Sequence, residues 1–145
     1  MKKLVQILER IDRHRSWLPL LLRLAVGATF IHAGWPKMKN YSATVEEMSK
    51  NANLPLGSLL VPLVPIVEFV GGIALVAGLG TRIFAFMLCW VMAFAIFFVH
   101  WKGGFEGWQW QALLLASCLT LMLGGPGVVS IDHAIRSRLT PEPRR

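Results

Sequence analysis

The chain has 145 residues, of which 54% are hydrophobic, and its formal net charge is +7. A soluble domain of this length is rarely so apolar, so the composition indicates a membrane protein. The charge does not indicate a nucleic-acid partner, because the basic residues lie at the ends of apolar segments and form no stripe on a polar face. The lipid bilayer is therefore the expected partner.

Four apolar segments are long enough to cross a bilayer. A hydrocarbon core of about 30 Å takes about 20 apolar residues in a helix, because backbone polar groups must be satisfied within the segment. The sequence therefore predicts an all-α membrane protein, with a four-transmembrane-helix bundle at residues 17–127 and short interfacial helices at both ends. The predicted spans cover residues 17–34, 57–79, 82–100 and 108–124.

Basic residues predict how the spans are oriented. With the amino terminus in the cytoplasm, the outer segments hold four basic residues, which are Lys37, Lys39, Lys50 and Lys102. The cytoplasmic segments then hold ten, which are Lys2, Lys3, Arg10, Arg13, Arg15, Arg82, Arg136, Arg138, Arg144 and Arg145. This asymmetry follows the positive-inside rule and predicts that both termini are cytoplasmic. A cleaved signal peptide is the alternative for the first span, but Arg23 interrupts its apolar core and no clear small-residue cleavage site follows.

The segment after the first span is expected to leave the membrane. Gly34 and Pro36 are two helix-stopping signals, which predicts that the first span ends there. Residues 44–47 (Thr-Val-Glu-Glu) resemble a capping box and predict a short surface helix. Such a helix can cover a site that opens toward that side of the membrane.

Proline and glycine mark the second span. Pro62 and Pro65 each remove a backbone donor in its first half, so a kink is expected directly before Glu68. Gly71 and Gly72 permit a close approach of another helix.

Amphipathic segments lie at both ends of the chain. Residues 1–16 place apolar side chains on one helical face and Lys and Arg on the other, which predicts a cytoplasmic interfacial helix. Residues 128–145 predict a second such helix, capped by Ser130 or Asp132 and followed by a tail. Residues 78–82 predict a tight turn on the same side of the membrane.

Two charged residues lie in the interior of predicted spans, where ionisable groups are costly and therefore mark functional sites. Counted from the predicted span ends at about 1.5 Å per residue, Arg23 and Glu68 differ in depth by about 5 Å. We therefore expect an Arg23–Glu68 ion pair inside the bundle. The pair either fixes the helix register or belongs to a site that handles protons or a quinone.

Histidine, tryptophan and cysteine supply the other candidates. His32 and His100 lie in the outer third of their spans. They could bind a quinone carbonyl and transfer its protons, ligate a haem or metal ion, or only form hydrogen bonds at the membrane interface. No spacing within one helix supports a bis-histidine haem, and no metal site is predicted. Trp35 either belongs to an aromatic belt or stacks on an aromatic ligand. Cys89 and Cys118 have no CxxC or metal-ligand spacing and are expected to be buried apolar side chains.

Two sets of motifs follow one another along the chain. The first set is Leu22-Arg23-Leu24, Gly27 and Phe30-x-His32-x-Gly34-x-x-Lys37. The second set is Glu68-x-x-Gly71-Gly72, Gly78-x-x-Thr81-Arg82, His100, and Gly125-Pro126-Gly127 with Ser130 and Asp132. In this order the motifs resemble the DoxX family of small bacterial inner-membrane proteins. The resemblance implies a four-helix membrane bundle associated with quinone-linked or thiol-linked redox processes and with oxidative-stress complexes.

Three hypotheses for function follow. In the first, the chain is a redox-associated inner-membrane protein with an interior site for a quinone-like molecule or another small molecule. Because it shows no flavin or nucleotide motif, it would be at most a subunit of a quinone-linked oxidoreductase and would depend on a soluble or membrane partner. In the second, it is a non-catalytic anchor or assembly subunit for such a partner. In the third, it is a small proton-coupled transporter, which the prolines of the second span beside Glu68 suggest.

The first hypothesis assigns eight residues to the site. The expected catalytic residues are Glu68, Arg23, His32 and His100. The expected cofactor contacts are Trp35, Lys37, Gly71 and Gly72. No intrinsic cofactor is identified, and a quinone is the candidate ligand.

Overall fold

The computed structural model describes residues 17–51 and 60–139, which are helical almost throughout. The helices are α1 (Leu18–Lys39), α2 (Tyr41–Asn51), α3 (Leu63–Ala77), α4 (Thr81–Phe94), α5 (Gly104–Gly124) and α6 (Ile131–Leu139). A π-helical turn, Ala95–His100, and a 3₁₀ turn, Trp101–Gly103, connect α4 to α5. The all-α prediction is confirmed. The predicted helix at residues 1–16, the tail after residue 139 and the beginning of the predicted second span lie outside the described residues.

Two described helical stretches are long and apolar enough to cross a membrane, namely Leu18–Lys39 with 22 residues and Thr81–Gly124 with 44. Helix α3 is apolar but has 15 residues. Large apolar side chains are exposed on the outside, and Ile83 and Leu123 are 67% and 74% exposed. Such a surface suits lipid better than water. The count of four spans stays a prediction.

The 44-residue stretch reverses its direction at Gly104, which has φ 65° and ψ −164°. Helices α4 and α5 pack against each other. Phe86 and Met122 line the same groove, and His100 lies beside Gln111, so the beginning of α4 lies next to the end of α5. The two helices are therefore an antiparallel pair, and Gly104 supplies the left-handed φ of the reversal.

Glycines bring the backbones of α1 and α3 into contact. A Cβ built on Gly72 would lie 2.8 Å from the Gly27 carbonyl oxygen, and a Cβ on Gly34 would lie 2.7 Å from the Phe69 backbone nitrogen. Neither distance leaves room for a side chain, so close packing explains these glycines. The predicted helix end at Gly34 and Pro36 is wrong, because α1 continues through Pro36. Gly34 serves the contact with α3 and does not end α1.

The start of α3 also differs from the prediction. Helix α3 begins at Leu63, with Pro62 at its N-cap and Pro65 in its first turn. Proline is well tolerated there, because the first N–H groups of a helix have no partner within the helix. The prolines therefore mark the start of the described helix instead of kinking the middle of a longer one. The short helix predicted from residues 44–47 is present as α2.

The buried core lies between α1, α3, α4 and α5. Its residues are Val26, Phe30, Leu75, Ala85, Leu88, Cys89, Met92, Cys118 and Leu121. Both cysteines are buried in this apolar cluster, as predicted.

The α3–α4 turn and the start of α6 are joined by hydrogen bonds. Gly78 and Gly80 have φ values of 70° and 57°, which confirms the predicted tight turn. The Ser130 hydroxyl accepts a hydrogen bond from a backbone N–H in the first turn of α6 at 3.0 Å. Asp132 accepts from the Gly80 and Thr81 N–H groups at 2.7 and 2.9 Å. Of the two predicted caps, Ser130 therefore caps α6, whereas Asp132 caps α4.

Candidate functional site

Glu68 is buried in α3 and forms an ion pair with Lys37 of α1. Lys37 Nζ lies 2.5 Å from Glu68 Oε2, and the two side chains are 33% and 4% exposed. Lys37 lies in the last turn of α1, where the negative end of the helix dipole also favours a cation. A nearly inaccessible carboxylate is thus compensated by a partially accessible ammonium group.

The predicted contact between Arg23 and Glu68 is wrong. Arg23 Nη2 donates a hydrogen bond to the Val129 carbonyl oxygen at 2.6 Å, and a Cβ built on Gly78 would overlap Arg23 Nη1. Gly78 follows Glu68 by about 15 Å of helix, so the two charges lie toward opposite ends of the bundle. The prediction failed because α3 begins at Leu63, which places Glu68 only about 7.5 Å from the start of the described helix.

These residues define two ends of the bundle, the Lys37 end and the Arg23 end. At the Arg23 end, Arg23 is 1% exposed and lies beside Gly78, which caps the carboxyl end of α3. The dipole of α3 favours a cation at this end of the helix and offsets part of the cost of burying the guanidinium. Nε and Nη1 of Arg23 have no hydrogen-bond partner in the described part of the chain. Arg23 therefore joins α1 to the α3–α4 turn and to the segment before α6, and takes no part in the Lys37–Glu68 pair.

A polar cavity of about 540 Å³ lies beside the ion pair, and we call it the Lys37–Glu68 cavity. Its polar lining residues are Lys37, Thr44, Glu47, Glu68, His100 and Gln111. Its apolar lining residues are Met48, Val61, Val64, Val91, Phe94, Ala95 and Val99. Side chains from α1, α2, α3, α4, α5 and the π-helical turn thus meet around one space. Helix α2 forms part of the cavity wall, as expected for a short helix that covers a site.

The π-helical turn presents His100 to this cavity, and such turns often occur at functional sites. His100 Nδ1 lies 3.0 Å from the Ala95 carbonyl oxygen. A carbonyl oxygen only accepts, so Nδ1 carries a hydrogen and Nε2 of the neutral ring is an acceptor. Gln111 Nε2 lies 3.4 Å from Nε2 and can donate to it.

The Gln111 amide has a second orientation that satisfies other groups. In that orientation its nitrogen donates to the Gly107 and Trp108 carbonyl oxygens at 3.3 and 3.2 Å. The amide oxygen then faces His100 Nε2. In either assignment of the amide atoms, Gln111 lies beside His100 Nε2.

An apolar groove of about 250 Å³ adjoins the cavity between α3 and α4. It shares Val64, Val91 and Phe94 with the cavity lining. Its other lining residues are Leu60, Leu63, Val67, Phe86, Met87 and Trp90, and Trp90 is 62% exposed. The polar cavity therefore has an apolar neighbour that opens on the outer surface of the bundle.

Three of the predicted site residues, Lys37, Glu68 and His100, come together at the cavity. His32 is exposed on α1 and is not part of the cavity lining. Trp35, which is 50% exposed, also lies outside the lining. The structure places Gly71 and Gly72 at helix contacts instead, since a Cβ on Gly71 would lie 3.2 Å from the side chain of a core leucine in α4.

Sequence reasoning missed three polar residues of the cavity. Thr44 and Glu47 were recognised only as part of a capping motif, although their helix was expected to cover a site. Gln111 gave a weaker signal, as an amide near the start of an apolar segment. Among the described residues, no group of three or more His, Cys, Asp or Glu side chains is placed to hold a metal ion.

The helical architecture, the apolar exterior and the buried ion pair beside a polar cavity define a small integral membrane protein. The sequence profile of the DoxX family matches residues 18–101, which is more than half of the chain. The chain belongs to the DoxX family.

Relatives in three bacteria agree with this placement. Inner membrane protein YqjF of Escherichia coli is 29% identical over 123 residues, covering 82% of this chain and 92% of YqjF. An uncharacterised Haemophilus influenzae protein is 30% identical over 133 residues, covering 87% of this chain and 96% of that protein. A Bacillus subtilis protein named "Putative oxidoreductase CatD" is 28% identical over 114 residues, covering 78% and 83% of the two chains. No solved structure gives a significant match. The family and these names indicate a bacterial inner-membrane protein.

Proposed function

We propose that the chain is a four-span inner-membrane protein that binds a quinone-like molecule in the Lys37–Glu68 cavity and serves as the membrane subunit of an oxidoreductase. The observation that carries the proposal is the buried Lys37–Glu68 ion pair at the edge of a cavity of about 540 Å³. Ligand pockets of about 300–1,000 Å³ with a mostly apolar lining and a few polar groups are typical for small molecules.

Helix lengths support the four-span arrangement. The run from Thr81 to His100 has 14 α-helical and 6 π-helical residues, close to the about 30 Å of a bilayer core. The antiparallel partner α5 has 21 residues and is about as long. Helix α3 covers about 22 Å, and the apolar Leu60 and Val61 before it extend its reach. Both termini would then lie at the Arg23 side of the membrane, which the basic residues mark as cytoplasmic.

The polar groups of the cavity fit a quinone headgroup. Its two carbonyl oxygens accept hydrogen bonds, and the ring takes up two protons with two electrons when it is reduced. Lys37 is a donor at the cavity wall, and Glu68 beside it is a carboxylate that can hold a proton. His100 lies on another wall of the cavity, and an imidazole ring can donate or accept a hydrogen bond.

The apolar groove fits the rest of a membrane quinone. Such molecules carry a hydrocarbon tail that must stay in an apolar environment while the headgroup reaches polar groups. Val64, Val91 and Phe94 lie between the two spaces, so a tail can lie between α3 and α4 while the headgroup occupies the cavity.

Electrons would come from a partner. The sequence holds no flavin or nucleotide motif, so the chain's own residues bind and orient the quinone and move protons. The CatD relative is named an oxidoreductase, and this name supports a redox setting for the family.

Equilibrium binding of a short-chain ubiquinone to the detergent-purified protein tests this proposal. We expect Lys37→Met and His100→Ala to weaken binding about tenfold, because each removes a polar contact worth about 1–2 kcal/mol. Matched controls are Lys39→Met and His32→Ala, which change the same residue types outside the cavity lining. Equal affinity in the cavity variants and the controls would overturn the proposal.

A non-catalytic anchor is the second candidate, and α6 favours it. Ile131, Ile135 and Leu139 are 43%, 46% and 77% exposed and recur at helical spacing on α6. If this face binds a soluble oxidoreductase, Ile135→Ser combined with Leu139→Ser should release that partner. In this case the wild type itself should bind no ubiquinone. The prolines that suggested a transporter lie at the start of α3, so the structure adds no support for transport.

A further inference from the structure

A second cavity, of about 570 Å³, lies at the Arg23 end of the bundle. It is lined by Arg82, Ile83, Asp132, His133 and Arg136, together with glycine backbone and Pro126 at the adjoining ends of α4 and α5. We call it the Arg82 cavity. It shares no lining residue with the Lys37–Glu68 cavity and plays no part in the proposed quinone site.

Asp132, the carboxylate among the described lining residues, already has partners. Both oxygens of Asp132 accept hydrogen bonds from N–H groups of Gly80 and Thr81 at the start of α4. The positive end of the α4 dipole also offsets its charge. Asp132 therefore shapes the wall of the cavity with both oxygens directed to the start of α4, and it forms no ion pair with Arg82.

Arg82 is exposed and lies beside the turn that ends α5. A Cβ built on Gly125 would lie 3.3 Å from Arg82 Nη2 and 3.4 Å from Nε, and Gly125 has φ 82°. Arg82 makes no hydrogen bond or ion pair with residues of the described ranges. Its planar guanidinium thus lies at the cavity with its N–H donors available. Two N–H groups of a guanidinium form a fork that can bind two oxygens of one phosphate group.

The cavity is bordered by lipid-facing apolar side chains. Ile83 lines it and is 67% exposed, and Leu123, directly before the glycine turn that ends α5, is 74% exposed. A basic cavity next to exposed apolar side chains matches the shape of a phospholipid, whose anionic headgroup is joined to hydrocarbon chains. A soluble phosphate compound would use the basic groups alone.

We propose that the Arg82 cavity binds the phosphate group of an anionic membrane lipid. Arg82 is the main ligand, His133 lies near it in the cavity wall, and the acyl chains lie along Ile83 and Leu123. The basic residues of the chain predict that this end faces the cytoplasm, where the leaflet surface is negative.

Lipid analysis of the purified full-length protein tests this assignment. We expect phosphatidylglycerol to co-purify with the wild type and Arg82→Gln to reduce its amount about tenfold, as expected for loss of a charged hydrogen bond. Arg138→Gln is the matched control, because it removes one positive charge from α6 outside the cavity. Equal loss in both variants would overturn the proposal, since it would reflect net charge alone.

A second measurement does not depend on the folding of any variant. The thermal stability of the wild type is compared in phosphatidylcholine nanodiscs, in nanodiscs that also contain phosphatidylglycerol, and in phosphatidylcholine nanodiscs with inorganic phosphate. A rise in Tm with phosphatidylglycerol alone supports the lipid site. The same rise with inorganic phosphate would contradict it in favour of a soluble phosphate ligand, and no rise in either would also contradict it. Arg82→Lys, which keeps the charge but loses the fork, should bind an intermediate amount of lipid.

Discussion

The Lys37–Glu68 ion pair gives the sharpest test of the helix arrangement. Lys37→Met would leave a carboxylate that is 4% exposed without its partner. Removal of one member of a buried pair costs about 3–5 kcal/mol. Because the Lys37 side chain is 33% exposed and part of its charge is already in contact with solvent, we expect the lower value, about 3 kcal/mol.

The double variant of Lys37 and Glu68 should be more stable than the Lys37→Met single variant. Lys37→Met combined with Glu68→Gln leaves no charge to compensate, so we expect about 2 kcal/mol of the lost stability to return. Denaturant titration of the purified proteins in one detergent gives the four free energies of unfolding that a double-mutant cycle needs. Lys39→Met controls for loss of a positive charge near the same helix end.

Two results would refute this reasoning. Additive effects of Lys37→Met and Glu68→Gln, within about 0.5 kcal/mol, would mean that the side chains do not interact. A strong coupling between Glu68 and Arg23 in a second cycle would restore the pairing expected from predicted depth. It would then require a different register between α1 and α3.

Three further substitutions test the contacts at the helix ends and between α1 and α3. Gly72→Ala should destabilise the protein by about 1–3 kcal/mol in thermal unfolding, because its Cβ would meet the α1 backbone at 2.8 Å. Gly78→Ala should reduce stability more than Gly124→Ala, because the φ of 70° at Gly78 disfavours a side chain and a Cβ there would overlap Arg23. A Cβ on Gly124 meets no atom within 4 Å. Equal Tm values for the two variants would contradict this expectation. Asp132→Ala should cost about 1–2 kcal/mol through loss of the α4 cap, and hydrogen exchange should rise first at the start of α4.

The sequence predicted the helical class and the apolar segments well, because hydropathy and turn residues are local signals. It misjudged Gly34, since a glycine that ends a helix and a glycine that admits another backbone look alike in one sequence. The contact with Phe69, 35 positions away, decides between them. Sequence alone does not contain that contact.

The site was predicted only in part, because the pairing of its residues also depends on contacts between distant segments. Glu68 and His100 were identified because polar residues in apolar spans are costly, and Lys37 through the family resemblance. Their pairing required the register of α3 relative to α1, which depends on where α3 begins. A shift of about six residues in that start moves Glu68 by about 9 Å, enough to exchange Arg23 for Lys37 as the nearer cation.

The family motifs divide between the two ends of the bundle, and the buried charges at the two ends have different partners. At the Arg23 end, Arg23 bonds to Val129 and lies against Gly78, while Asp132 caps α4, so three distant segments are fixed together. These contacts are made within the chain and indicate a structural contribution of Arg23, while the catalytic role expected from the sequence stays a prediction. At the Lys37 end, Lys37 and Glu68 lie at an open cavity. A variant of Arg23 should therefore reduce folded yield, whereas a cavity variant such as His100→Ala should reduce quinone binding at unchanged yield.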